Sequence, residues 1–149
     1  MKALTNLALR IKTLSVNDLI DELGEHTEFI DLIIELNTKN QLYDKGVNSK
    51  GESIGDYSRY TKAIKDEKGQ IFDHVTLNDT GKFYESFKVY INSQKDFVIT
   101  ADTIKDMSDL IADWGREILG LNEDSLAILR DKAKQILIPY IKSIILKNG

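Results

Sequence analysis

"VTLNDTGKFYESFKV", Val75–Val89, decides how the chain folds and what it is fit for. From Phe87 onward, Phe87, Val89 and Ile91 alternate with Lys88, Tyr90 and Asn92, the period-two pattern of a half-buried strand. A second β-prone run, "FVIT" at Phe97–Thr100, follows a polar "SQKD" turn, so the pair reads as an antiparallel hairpin. Just ahead, Phe83 and Phe87 lie four apart, as on one face of a helical turn. Asp79 or Thr80 is expected to cap that turn, and Gly81 to let the backbone bend tightly before it.

The tripeptide Asp79-Thr80-Gly81 has a rival reading as the catalytic motif of an aspartic protease. That chemistry needs the aspartate at the end of an apolar strand, a small residue after the glycine, and a second carboxylate sharing the proton. Here polar Asn78 precedes Asp79, and Lys82 with bulky Phe83 follows Gly81. Such enzymes are also almost wholly β, whereas most of this chain has helical periodicity. The cap-and-turn reading is preferred.

Working outward, the 149 residues suit one domain with a core of its own. With 42% hydrophobic and 30% charged residues, the chain has the balance of a globular protein. A net charge of −4 argues against a general nucleic-acid binder. Direct DNA contact is therefore not expected. Cysteine is absent, which removes disulfides, thiolate metal sites and cysteine nucleophiles together and fits a reducing compartment. No run approaches the roughly 20 apolar residues that span a bilayer. The opening residues lack the pattern of a signal peptide. No membrane association is expected.

Residues 1–43 read as helical. Ser15 and Asp18 make a capping pair. Apolar residues from Leu19 to Leu36 recur near a 3.6-residue period, with Gly24 as a break and one helix expected over most of Glu25–Leu42. Residues 44–78 change character: Gly46, Gly51, Gly55 and Gly69 stand among polar residues, giving a long inserted loop with a short helix over Thr61–Lys68 and little share in the core. Residues 79–101 hold the short helix and hairpin. Residues 102–149 read as helical, with a helix from Asp102 or Thr103 to Trp114 ended by Gly115. A long last helix then follows, with Asn122 as N-cap, Glu123 and Asp124 in its first turn, and Pro139 expected to kink it. The fold class that results is α+β: helices on a small antiparallel sheet, with a long inserted loop and a long C-terminal helix.

Chemistry-bearing residues are sparse. His26 and His74 stand apart without metal-ligand spacing, and "GVNSKGESIG" lacks the order of a phosphate-binding loop. No metal, cofactor or catalytic set is expected. The richer cluster is "DYSRYTKAIK": Tyr57, Arg59 and Tyr60 with Lys62, Lys65 and Lys68. Between Lys45 and Lys68 there are six basic and four acidic residues, a mild positive excess in an acidic chain. Aromatic and arginine side chains on a loop are the material of interface hot spots, so these six are the candidate interface residues. The plainer alternative is that one tyrosine folds back onto the core while the lysines stay solvated.

The order of these motifs resembles the tail-completion and virion-morphogenesis proteins of tailed bacteriophages. Their pattern is a helix, a G-x-[DN]-x-x-G-x-x-[ilw] turn, a [YL]-S-x-x-T step, a lysine-rich segment and an L-x-[DN]-T-G-x-[LF]-x-x-S-[IF]-x-V box. In this chain the turn is Gly46 to Ile54, the step is Tyr57, Ser58 and Thr61, the lysines are Lys62, Lys65 and Lys68, and the box is Leu77 to Val89. The resemblance covers roughly residues 40 to 100. It departs from the family where Ile54 replaces the usual tryptophan, and the helical tail after Thr103 lies outside the common pattern. That tail is similar to tails in phages and prophages of gut Bacteroidetes, crAss-like ones included. The resemblance implies a structural, non-catalytic subunit of a ring-shaped homo-oligomer at the head–tail junction or tail end. Its neighbours would be portal, neck or tail proteins, and its place the virion, after assembly in the host cytoplasm. A reading from another class is a small cytoplasmic protein-binding or regulatory module of toxin–antitoxin type, with the same loop capturing one partner.

Overall fold

The computed structural model describes residues 2–147. Chain order begins with three helices, α1 (Lys2–Thr13), α2 (Val16–Glu25) and α3 (Thr27–Glu35). Ser15 and Asp18 form the expected capping box: the Ser15 hydroxyl accepts from the Asp18 amide, and the Asp18 carboxylate accepts from the Ser15 amide. The chain breaks at His26 rather than at Gly24; His26 is extended and bonds Glu22 through its ring at 3.1 Å. From Thr27 the helix runs on past Glu35, but its last ten residues, Leu36–Lys45, are a π-helix. Gly46 ends it in a left-handed conformation (φ 62°). A side chain there is strained twice over, since an added Cβ would also lie 2.7 Å from the His74 ring.

Residues 44–78 are less loop-like than expected. Val47 and Ser53 form an antiparallel bridge around the Gly51 turn, and α4 occupies Arg59–Glu67, capped by the Ser58 hydroxyl. Nor is the segment peripheral: Ile54 packs against a buried cluster. The box then supplies α5 (Lys82–Glu85) and the hairpin β1 (Lys88–Ile91) with β2 (Phe97–Thr100). The hairpin is in register from Lys88 opposite Thr100 to Ile91 opposite Phe97. Asn92 closes its turn, accepting from the Gln94 and Asp96 amides at 3.0 and 2.9 Å.

The expected helix over 102–114 is replaced by a second, smaller hairpin, β3 (Ile104–Lys105) with β4 (Ser108–Asp109), followed by α6 (Leu110–Trp114). Asp106 takes a left-handed φ of 53° at the hairpin tip, a conformation aspartate tolerates, and Asp109 caps α6 instead of Asp102 or Thr103. Gly115 ends α6, as its sequence position suggested. A 3₁₀ turn (Arg116–Ile118) leads to α7 (Glu123–Leu146), which carries Pro139 within its span and starts at the Asn122 cap.

The protein is thus α+β, with two small antiparallel sheets and a long C-terminal helix. Two apolar clusters hold it. Leu42, Phe83, Phe87, Leu110 and Ile118 join the box to α6 and the 3₁₀ turn. Leu23, Phe29, Ile33 and Ile136 join α2, α3 and α7 beside the first hairpin. Ile99 touches both. Each fully buried side chain of this size contributes about 2 kcal/mol by leaving water.

Between the clusters lies an uncharged clamp. Asn37 and Gln41, one helical step apart on the π-helix, are both buried. Asn37 donates to the Ile118 carbonyl at 3.0 Å and accepts from the Gly120 amide at 2.8 Å. Gln41 donates to the Gly120 carbonyl at 2.8 Å and accepts from the Asn122 amide at 2.9 Å. Two side-chain amides therefore meet the backbone of residues 118–122 much as a neighbouring strand would. This satisfies groups that the 3₁₀ turn and the α7 N-terminus would otherwise leave buried and unpaired.

Candidate functional site

A cavity of about 620 Å³ lies between α4, the residues before α5, the second hairpin and α6. Its wall is the backbone of residues 76–79, gripped by side chains from the segment before it. The Tyr57 hydroxyl accepts from the Thr76 and Leu77 amides at 3.0 and 3.1 Å. Lys65 donates to the Asn78 carbonyl at 3.1 Å, and the Gln70 amide nitrogen to the Asp79 carbonyl at 3.0 Å. On the core side, the Tyr84 hydroxyl donates to the Thr76 carbonyl, and burial pushes the Tyr84 phenol pKa far up. Leu77 needs this grip, because it holds a φ of 56° that a branched apolar residue seldom adopts.

Asp79 is the electrostatic centre. Its two oxygens meet Lys68 at 3.2 Å and Lys105 at 3.1 Å. The hydrogen bonds from Lys105 and then Lys68 hold its pKa below the usual aspartate value. A carboxylate between two ammonium groups stays ionised, the opposite of the shared-proton environment that an aspartic protease creates for its pair. Nor does Asp79 cap α5, as was expected. The N-cap is Gly81 at φ 85° with no side-chain bond to the helix, and Thr80 reaches the Lys82 amide only at 3.5 Å. The two lysines outcompete the cap for the carboxylate.

The six candidate interface residues divide sharply. Tyr57 is half-buried with its hydroxyl turned inward, edge-on to Trp114 at 6.2 Å. Lys65 is only 7% exposed; its ammonium lies 4.8 Å from the centre of the Tyr57 ring, so it is structural rather than free to meet a partner. Lys62 pairs with Asp56 at 3.6 Å and Lys68 is tied to Asp79. Arg59 is exposed, and Tyr60 is 77% exposed. Gly46, Gly51 and Gly81 all take the positive φ expected of turn glycines.

Three further residues belong to this site. Lys105 completes the Asp79 bridge, Gln70 anchors the wall, and Met107 stands fully exposed at the hairpin tip on the cavity's edge. Two were hidden because the 102–114 segment reads as a helix. Gln70 looks like any polar loop residue. Its carbonyl oxygen is buried and finds no partner among the described residues. Also among these residues, no group of three or more His, Asp or Glu converges as a metal site would, and no helix is long and apolar enough to cross a membrane. Comparisons with protein-family models, curated proteins and solved structures find no match to the chain.

Proposed function

We propose that the chain is a structural subunit of a tailed-phage virion, one copy in a neck or tail-completion ring that joins head or portal to tail. The observation that carries this reading is how the polar groups around the cavity are used. Tyr57, Lys65, Gln70, Lys68 and Lys105 spend their bonds holding the chain's own residues 76–79. What this region offers outward is Met107 on the lining of the cavity and Tyr60 on α4, the helix that supplies one side of it, two large side chains that stand exposed. A stiff frame presenting an aromatic and a methionine beside a concavity suits docking against another protein better than turning over a substrate. The motif order of residues 40 to 100 sets the direction of that inference. At the head–tail junction, such a face meets a fixed patch on a neighbouring portal, neck or tail protein. The activity implied is assembly, without catalysis.

Negative-stain imaging of the purified protein, alone and with virions, tests the reading. Rings in solution and labelled necks or tail ends in virions are expected. A monomer or dimer absent from virions sinks it and favours the cytoplasmic binding module. The Tyr60→Ala, Met107→Ala double variant sharpens the test. Stability should shift by no more than about 0.5 kcal/mol, because both positions are exposed, while incorporation into virions fails.

A further inference from the structure

We infer that copies of this chain associate through two faces of opposite charge. The apolar, basic surface of α7 on one copy, with exposed leucines of α1 beside it, meets the acidic surface of α2 and α3 on the next. Residues 125–147 carry five Lys and Arg against one Asp, whereas residues 15–36 carry seven Asp and Glu and no Lys or Arg. Within one chain α7 packs on α2 and α3 and Lys132 answers Glu28, so it is the charges left over on each side that bear on a second copy.

Helix α7 has more apolar surface than its own chain covers. Leu129, Ala133, Ile136 and Leu137 face the second cluster, yet Ile128, Ile138 and Leu146 stand roughly half exposed or more. A helix apolar on both sides is ordinarily buried on both sides. Helix α1 packs against α7 and leaves Leu4 and Leu9 exposed beside it. Lys134 and Lys142 on α7, and Lys147 just after it, are exposed and make no ion pair among the described residues. The surface is therefore apolar with unneutralised positive charge.

The acidic face is the matching half. Asp21 and Glu28 are answered by Lys95 at 2.6 Å and Lys132 at 3.5 Å. Glu25, Asp31 and Glu35 are exposed and have no cation within their own chain among the described residues. Val16, 72% exposed at the start of α2, adds an apolar contact. Because the two faces differ, the contact is head-to-tail and propagates from copy to copy until it closes. Opposed charge sets partner and register, while Ile138, Leu146 and Val16 supply area.

This builds on the assembly reading, and the two can fail separately. The test is sedimentation of the full chain in low salt. Wild type should self-associate, and raising ionic strength from about 0.05 to about 0.5 M should weaken it as the Debye length shortens severalfold. Lys134→Glu with Lys142→Glu, and separately Glu25→Lys with Asp31→Lys, should each weaken association roughly tenfold or more while leaving circular dichroism unchanged. All four changes in one chain should restore it. If rings persist in the singly reversed chains, or the fourfold variant gains nothing back, the faces are wrong while the ring reading stands. A wild-type chain monomeric in solution overturns the inference. Labelled virion necks would still uphold the ring reading, and their absence would take that down too. Flotation with phosphatidylcholine vesicles that needs both phosphatidylserine and Lys134 and Lys142, without any change in oligomeric state, assigns the basic face to a lipid surface and overturns the inference as well.

Discussion

The protein contains two clamps that solve one problem in different chemical terms. In the first, Asn37 and Gln41, both buried, hold residues 118–122 with four neutral hydrogen bonds, two of them buried and the two to Gly120 part-buried. In the second, Tyr57, Lys65 and Gln70 hold residues 76–79, with Lys68 and Lys105 closing on Asp79 at the surface. Side chains grip irregular backbone in both. The neutral clamp has both of its side chains buried, with only the Gly120 backbone partly exposed. The charged clamp is graded, buried at Lys65 and half open at Asp79, and it borders the cavity and the exposed Met107. The contrast teaches that the same device serves the core when it is sealed, and frames a surface when its outer members are left in water.

The comparison is most easily broken at Gln41. Gln41→Ala leaves the buried Asn122 amide without an acceptor, frees the Gly120 carbonyl and opens a void. A loss of about 3 kcal/mol is expected in urea denaturation. A cost below about 1 kcal/mol would show that the neutral clamp is not the sealed one. Tyr57→Phe comes next. It removes the shared acceptor of two amides, one belonging to buried Thr76, and should cost about 2 kcal/mol. Asp79→Asn is the smallest, below about 1 kcal/mol, because its pairs are partly solvated. Its pH signature is specific. The folded-state pKa is depressed, so the contribution is fully present above the ordinary aspartate value of about 3.9 and is lost as pH falls through the lower folded value. Wild type and Asp79→Asn should therefore converge in Tm at acid pH and differ at neutral pH. A constant gap would deny the lysine bridges any share.

Sequence patterns disclosed what is local. Ser15–Asp18 and Asn122 read as caps because a hydroxyl, carboxylate or side-chain amide three residues before a free amide is a complete signal. The first hairpin was legible because alternation over Phe87–Asn92 admits one face. The second hairpin was not: two residues per strand give no period, and Asp102 offers a false cap to a helix that begins at Leu110. The π-helix escaped because its residues keep helical spacing while its hydrogen bonds widen. At the site, the loop marked Tyr57, Tyr60 and the lysines as a group. Their division into buried Lys65, tethered Lys68 and exposed Tyr60 depends on residues 76–79 and on Lys105, which composition cannot bring together.

The neutral clamp also constrains when the chain can fold. Asn37 and Ile118 lie 81 residues apart, and Asn37 and Gly120 lie 83 apart. While the chain is being made, α2, α3 and the first hairpin are complete well before residues 118–122 emerge. Until then the amides of Asn37 and Gln41 have no backbone to meet, and burying them is unfavourable. Contacts this distant also carry a loop-closure cost that must be met before they contribute. The clamp on the first hundred residues therefore closes late, once residues 118–122, leading into α7, have emerged.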